Sequence, residues 1–392
     1  MRSLHTSDLE VGAFLPARYG QSAQPEQVEL PQPISRWWCL FPIVFGAGWG
    51  VIGLHEEWLK FCFGDLLPTP HIRVLMIFFC ITFIAHTITI FYVCRISESE
   101  EYKGMANAVC AGSPRNLDEL VSDITGIVRE STKVGACSVV MYGLVGYFSF
   151  ERWQAGVLAS TLGLLVVISR FETMFLYVMV KMCNQDVNNF IALMIPDVPE
   201  GSPLARADKS SKHFMHCPDW QSISAAHREM DWRMESLWAP RVGSSLLGPA
   251  VLLRIGQGLG ILIIGVVLDE VRAKLGAWAI GFVRIMSAIF ILQGTADLTM
   301  RCQTGNPRFG LTAIRVVVNG FACHCRMSQK QETCFVKFNG YIQNAQVGVE
   351  LFGMMVTPGL VSQLILALLT NIPIVVGLLQ NFMKRDASHL IS

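Results

Sequence analysis

Seven apolar stretches punctuate this chain, and each is long enough, or nearly so, to need a non-aqueous surrounding. They are Trp37–Leu54, Val74–Val93, Val134–Phe150, Gly156–Val180, Leu252–Leu268, Gly276–Thr299 and Leu360–Leu379. A membrane-crossing helix takes about 20 such residues. Within lipid a lone segment must close its own backbone hydrogen bonds, so each stretch is read as a helix. The third and fifth are short and extend into their flanks. The fourth carries Arg170 and Glu172 and is read as leaving the bilayer near Arg170 while continuing as a helix. Composition agrees: 16% of the 392 residues are charged, against about 25% in soluble domains. The expected fold is all-α: a polytopic membrane protein with seven transmembrane helices.

The Lys and Arg distribution sets an orientation, since basic residues collect on the cytoplasmic side. Loops 1–36, 94–133, 181–241 and 300–359 hold 21 of them, and the opposite loops hold 7. The N-terminus is therefore expected inside and the C-terminus outside. A G-protein-coupled receptor has the reverse orientation, and neither its DRY triplet nor its NPxxY pattern follows the relevant spans here. Four parts result: a cytoplasmic leader over 1–36, without the apolar core of a signal peptide; six spans and their loops over 37–300; cytoplasmic helices over 301–359; and a last span with an extracellular tail over 360–392.

The inner loops are long, and their apolar residues recur at helical spacing. Trp220, Ile223, His227, Met230, Met234 and Leu237 form one stripe; Phe335, Phe338, Ile342, Ala345, Val349 and Phe352 form a second. Each stripe buries one helix face, either in the chain's own core or as a seam between subunits. Thr357-Pro358-Gly359 then breaks the chain before the last span. On that span Gln363, Ala367, Thr370, Gly377 and Asn381 lie within about 40° of one line along a helix. Small and polar residues in such a line let helices pack closely in a membrane. Equally, they can face water in a pore with an apolar constriction.

The end of this span resembles the insect gustatory receptor family, which groups with odorant receptors. That family's last span carries Thr-Tyr, five hydrophobics and Gln-Phe. The matching window here is Pro373, Ile374, Val375 to Leu379, Gln380 and Asn381. The spacing, the apolar run and the glutamine agree, whereas the Thr, Tyr and Phe positions are replaced and Phe382 follows one residue late. The preceding stretch FNGYIQNAQVGVELFGMMVTPGLVSQLILALL is similar to the family's approach to its signature. The resemblance implies a chemosensory, ligand-gated, non-selective cation channel in the plasma membrane. It implies a homo- or heterotetramer with related receptor subunits, a pore lined by the last helix, and a small-molecule tastant bound in the outer part of spans one to six. Gln380 maps to the family's pore-lining glutamine and Asn381 to its gate-region Phe, with Val376 and Gly377 one turn deeper. The inner stripes become expected subunit contacts.

Candidate ligand-pocket residues at the outer depth are Tyr147, Phe150, Ser160, Thr161, Trp278 and Arg284. Arginine in a span is costly and is normally paired or beside water, so Arg284 either lines the ligand cavity or pairs structurally. Arg170, Glu172 and Arg254 are read as inner-interface residues, and His86 as a hydrogen-bonded core histidine. No paired carboxylates, catalytic triad or phosphate loop stands out, so no enzyme activity or cofactor is expected. The Cys323-His324-Cys325 run with Cys334 fits no zinc spacing, and no metal is expected. A net charge of +1 points away from nucleic acid. A solute transporter and a metabotropic seven-helix receptor are the alternatives.

Overall fold

A computed structural model describes residues 40–63, 69–112, 114–150, 153–195, 217–267, 271–303, 313–345 and 347–389. The expected leader over 1–36 lies outside these residues. Helices dominate: α1 (Leu40–Leu54), α2 (Glu56–Phe63), α3 (Thr69–Ser97), α4 (Glu100–Gly112), α5 (Pro114–Phe150), α6 (Trp153–Met194), α7 (Trp220–Leu237), α8 (Gly248–Val267), α9 (Val271–Gln303), α10 (Ile314–His324), α11 (Gln329–Asn344) and α12 (Pro358–His389). The described residues of each of the seven apolar stretches fall on a helix. Among the described residues four helical segments are long and apolar enough to cross a membrane: Met76–Ser97, Gly163–Met194, Ser245–Ile263 and Ala277–Gln303. Shorter apolar segments run over Ile43–Leu54 and Pro358–Ile374.

The exposed faces of these helices explain why the chain is a helical membrane protein. On α3, Met76, Phe83, His86, Ile90 and Val93 are buried, while Ile77, Ile81, Ile84, Ile88 and Phe91 point outward. That outward row recurs every three or four residues and has no polar member. Water would not tolerate it, whereas lipid does. The helices approach closely where side chains are small. A methyl group on Gly163 of α6 would sit 2.5 Å from Val139 Cα of α5. One on Gly258 of α8 would sit 2.7 Å from the Gly281 carbonyl of α9. These glycines allow backbone-to-backbone packing where lipid supplies no hydrophobic drive.

Beyond the apolar segments, α4, α7 and α10 pack on α6, α10 also packs on α9, and α11 packs on α7 and α10, forming a second layer. Trp220 is the centre of this layer, with ring contacts to Phe321, Phe335 and Phe338 at 4.8 to 5.8 Å. The α7 stripe is buried over all six expected residues. It packs inside its own chain rather than forming a seam between subunits. Polar ties fix the layer to the long helices. Arg233 donates twice to Asp186, at 2.9 and 3.1 Å. Arg301 is buried and donates to Asn184 and Asn188. His227 sits in an aromatic cage of Phe190, Phe338 and Tyr341. Neither of its ring nitrogens has a hydrogen-bond partner among the described residues. Burial lowers its pKa to about 4. The neighbouring Tyr341 donates to Asp231 at 3.0 Å, and its phenol is pushed up to about 12 by burial and by that carboxylate.

Two local features depart from the sequence reading. A continuous helical path joins α7 to α8 through a π-helical segment, Trp238–Leu247, containing Pro240. The second stripe does not stay helical. Helix α11 ends at Asn344, and Val349 and Phe352 belong to a two-stranded antiparallel hairpin, β1 (Glu350–Leu351) and β2 (Met354–Met355). The fold is all-α as expected, with one small hairpin among the described residues. β-branched Val347 and Val349 favour extended backbone. Phe352 and Gly353 turn the chain with φ of 52° and 74°, positive at both central positions as a tight hairpin turn requires. A positive φ is rare for a bulky residue. The Phe352 ring fills the space over Gly248, where a methyl group would meet it at 2.7 Å. After the hairpin the Thr357 hydroxyl accepts from the Leu360 amide at 3.3 Å. Thr357 thereby caps α12, with Pro358 as its first residue.

Candidate functional site

The four long apolar helices converge on a buried polar cluster. On α6, Ser169, Glu172 and Thr173 are three and four residues apart and share one face. Glu172 Oε1 takes the centre, 2.7 Å from His86 Nδ1 of α3 and in contact with the Thr89 hydroxyl one turn further on. A carboxylate only accepts, so Nδ1 carries the hydrogen. The Gln257 amide nitrogen of α8 lies 2.8 Å from His86 Nε2. Arg254 of α8 approaches Glu172 Oε2 at 3.4 Å and donates to the Ser169 carbonyl and the Thr173 hydroxyl, at 2.5 and 2.7 Å. His86, Glu172 and Arg254 side chains are completely buried.

Glu172 and Arg254 offset each other in charge. Arg284 of α9 adds a further positive charge, with Nη1 donating to Ser169 Oγ at 2.9 Å. Glu172 Oε2, Arg254 Nε and Gln257 Oε1 have no hydrogen-bond partner among the described residues. A half-satisfied ionic cluster is a costly way to fill a core, and ionisable groups at membrane depth mark pathways or sites.

Arg284 also borders an open cleft of about 670 Å³ between α5, α6 and α9. Ser138 and Tyr142 come from α5; Ser169, Arg170, Thr173 and Tyr177 from α6; Ile280, Val283, Ser287 and Phe290 from α9. The cleft and the cluster share Ser169, Thr173 and Arg284. Two arginines therefore face one cavity, while the carboxylate nearest them, Glu172, is turned away into the cluster.

Of the sequence-selected pocket residues, Arg284 alone lines this cleft. It combines the two roles considered for it, since it borders the cavity and also bonds Ser169. Ser160 donates to the Gly156 carbonyl at 3.0 Å, and Thr161 accepts from Trp49 Nε1 at 2.5 Å. Tyr147 and Trp278 are exposed, with Trp278 beside Gly265 of α8. Phe150 ends α5 with its side chain outside the described residues. Glu172 and Arg254, read as inner-interface residues, lie instead inside the bundle at the level of Arg284. The reason is length: α9 begins at Val271, so Arg284 is 13 residues, about 20 Å, from its start. His86 is hydrogen-bonded as expected, through both nitrogens. Arg170, also read as an inner-interface residue, lines the cleft; the residues missed are Ser169, Thr173 and Gln257, and polar side chains in apolar runs were their only signal.

Val376, Gly377, Gln380 and Asn381, the residues expected to form a pore and gate, all fall on α12. The side chains of Val376, Gln380 and Asn381 lie outside the described residues. Earlier on α12, Val361 is buried and Leu364, Ile365 and Leu368 pack on the core. Gln363, Ala367, Thr370 and Asn371 are exposed. Among the described residues no group of three His, Cys, Asp or Glu side chains could hold a metal ion.

No protein-family model matches the chain, and no curated protein matches it.

Proposed function

We propose that the chain is a chemosensory receptor of the gustatory type, acting as a ligand-gated non-selective cation channel in the plasma membrane. In this reading seven helices cross the bilayer, with the N-terminus inside and the C-terminus outside. Four copies, or a mixture with related subunits, bring their α12 helices together around a pore. The observation that carries the proposal is the outward face of α12. Val361, Leu364, Ile365 and Leu368 pack on its own subunit, and it presents Gln363, Thr370 and Asn371, together with Leu366, Leu369 and Ile374, away from that subunit. Thr370 and Asn371 donate to carbonyls of their own helix, while Gln363 and the exposed apolar residues call for a partner helix or water, and a ring of α12 copies supplies both. The resemblance at Gln380 supports the same reading.

The ligand would occupy the cleft between α5, α6 and α9. Binding there would bias a bundle with two arrangements, and α9, which packs on α12, would pass the change to the pore. An epitope placed after Ser392 tests the topology: antibody labelling of intact cells is expected, and labelling only after permeabilisation rules the channel out. The buried His86–Glu172–Arg254 cluster favours a second reading, a solute carrier coupled to ion movement. A carrier would show saturable uptake without unitary currents.

A further inference from the structure

We propose that the cleft between α5, α6 and α9 binds an amphipathic anion, with its acidic head at Arg284 and Arg170 and its apolar body along Val283 and Phe290. The inference rests on the preceding functional reading only for taking the cleft as a ligand site, and it adds the chemical class. Three observations carry it.

The first is charge. Arg284 and Arg170 border one cavity. No acidic side chain lines the cleft among the described residues. Glu172 is held by His86 and Thr89, with Arg254 at 3.4 Å. Two positive charges thus border a cleft whose described lining carries no acidic side chain.

The second is donor capacity. Guanidinium offers five N–H donors in a fork that fits an oxyanion. Ser169 Oγ takes one from Arg284. The Ser287 hydroxyl, also on the cleft wall, donates to the Arg284 carbonyl at 2.7 Å and so does not engage the guanidinium.

The third is the rim. Val283 and Phe290 are 64% and 65% exposed on the open side of the cleft, on a helix apolar enough to cross a membrane. The opening therefore meets acyl chains rather than water. A ligand that enters from the bilayer with its tail left at that rim matches this shape; a fully hydrated anion does not. The shared chemistry is an acidic head on an apolar chain, available either as a free long-chain acid or as an acidic lipid of the bilayer.

The test uses the full chain in phosphatidylcholine nanodiscs, with cis-parinaric acid and its methyl ester as probes, read by energy transfer from tryptophan. The acid is expected to bind about tenfold or more tighter than the ester, as loss of a charge-assisted pair implies. Arg284→Gln should remove that preference while leaving ester binding unchanged. Arg170→Gln, at an exposed position, should weaken the acid about threefold and guards against misfolding of the first variant. Equal binding of acid and ester, or unchanged acid affinity in both variants, overturns the proposal. Doping the nanodiscs with phosphatidic acid separates the sources. Displacement of the probe that depends on Arg284 identifies a bilayer lipid, and no displacement identifies a free acid; the anion site stands in either case. Acid binding without any current would leave this site in place and sink the channel reading. Currents opened by an uncharged tastant, with acid and ester bound alike, would do the reverse.

Discussion

Replacing His227 with Phe isolates one buried titratable group whose cost is set by the structure. The ring is 1% exposed, caged by Phe190, Phe338 and Tyr341 at 5.2 to 5.8 Å, and neither nitrogen has a hydrogen-bond partner among the described residues. Burial takes its pKa from 6.5 down to about 4. The unfolded chain therefore binds a proton as pH falls through 6.5, while the folded chain does not until about pH 4. The stability contributed by the neutral ring is fully present above pH 6.5 and is lost progressively as pH falls toward 4. Linkage over that window gives a loss of about 2 kcal/mol between pH 7.5 and pH 5.0, approaching about 3 kcal/mol below pH 4. Phenylalanine occupies the same cage and cannot titrate. His227→Phe should therefore lack this part of the pH dependence, whatever constant cost its slightly larger ring adds. The assay is the unfolding free energy of both proteins in detergent micelles at pH 7.5 and 5.0, followed by tryptophan fluorescence. The gap between them should shift by about 2 kcal/mol in favour of the variant at pH 5.0. A gap independent of pH would show that His227 is not buried as a neutral ring and would refute the reasoning.

Three further outcomes follow from the packing. Glu172→Ala should strand the Arg254 charge and cost about 3–5 kcal/mol; Glu172→Leu combined with Arg254→Met should cost less than the sum of the single changes in a double-mutant cycle of detergent unfolding. Gly163→Ala, which puts a methyl group 2.5 Å from the α5 backbone, should lose about 2 kcal/mol or more in the same assay, whereas Gly256→Ala, with nothing within 4 Å, should be neutral or gain up to about 1 kcal/mol. Thr161→Val removes the acceptor for Trp49 and should cost about 1 kcal/mol without changing the affinity of the acid probe.

The long helices were legible because lipid forces apolar length onto each of them, and the α7 stripe was legible because all six of its residues face one core. The hairpin was not. Val349 and Phe352 continue a helical spacing by coincidence, and only Gly348 and Gly353 hinted at a turn. The polar cluster was legible residue by residue but not as a cluster. His86 meets Glu172 across 86 positions and Gln257 across 171, and the relative depth of two helices is not written in either one alone. The same uncertainty of depth drew attention to Tyr147 and Trp278, while the cleft uses Arg170 and Tyr142. Arg284 survived that error because an arginine in an apolar run must find polar company at any depth.

Unitary current from the purified full chain in planar bilayers under a potassium gradient tests the central claim most directly. The channel account predicts discrete openings whose cation selectivity or block changes in Gln380→Ala while cis-parinaric acid affinity stays within about twofold, since the pore and the cleft are separate sites. Saturable solute uptake without unitary steps, or openings identical in the two proteins, would contradict it.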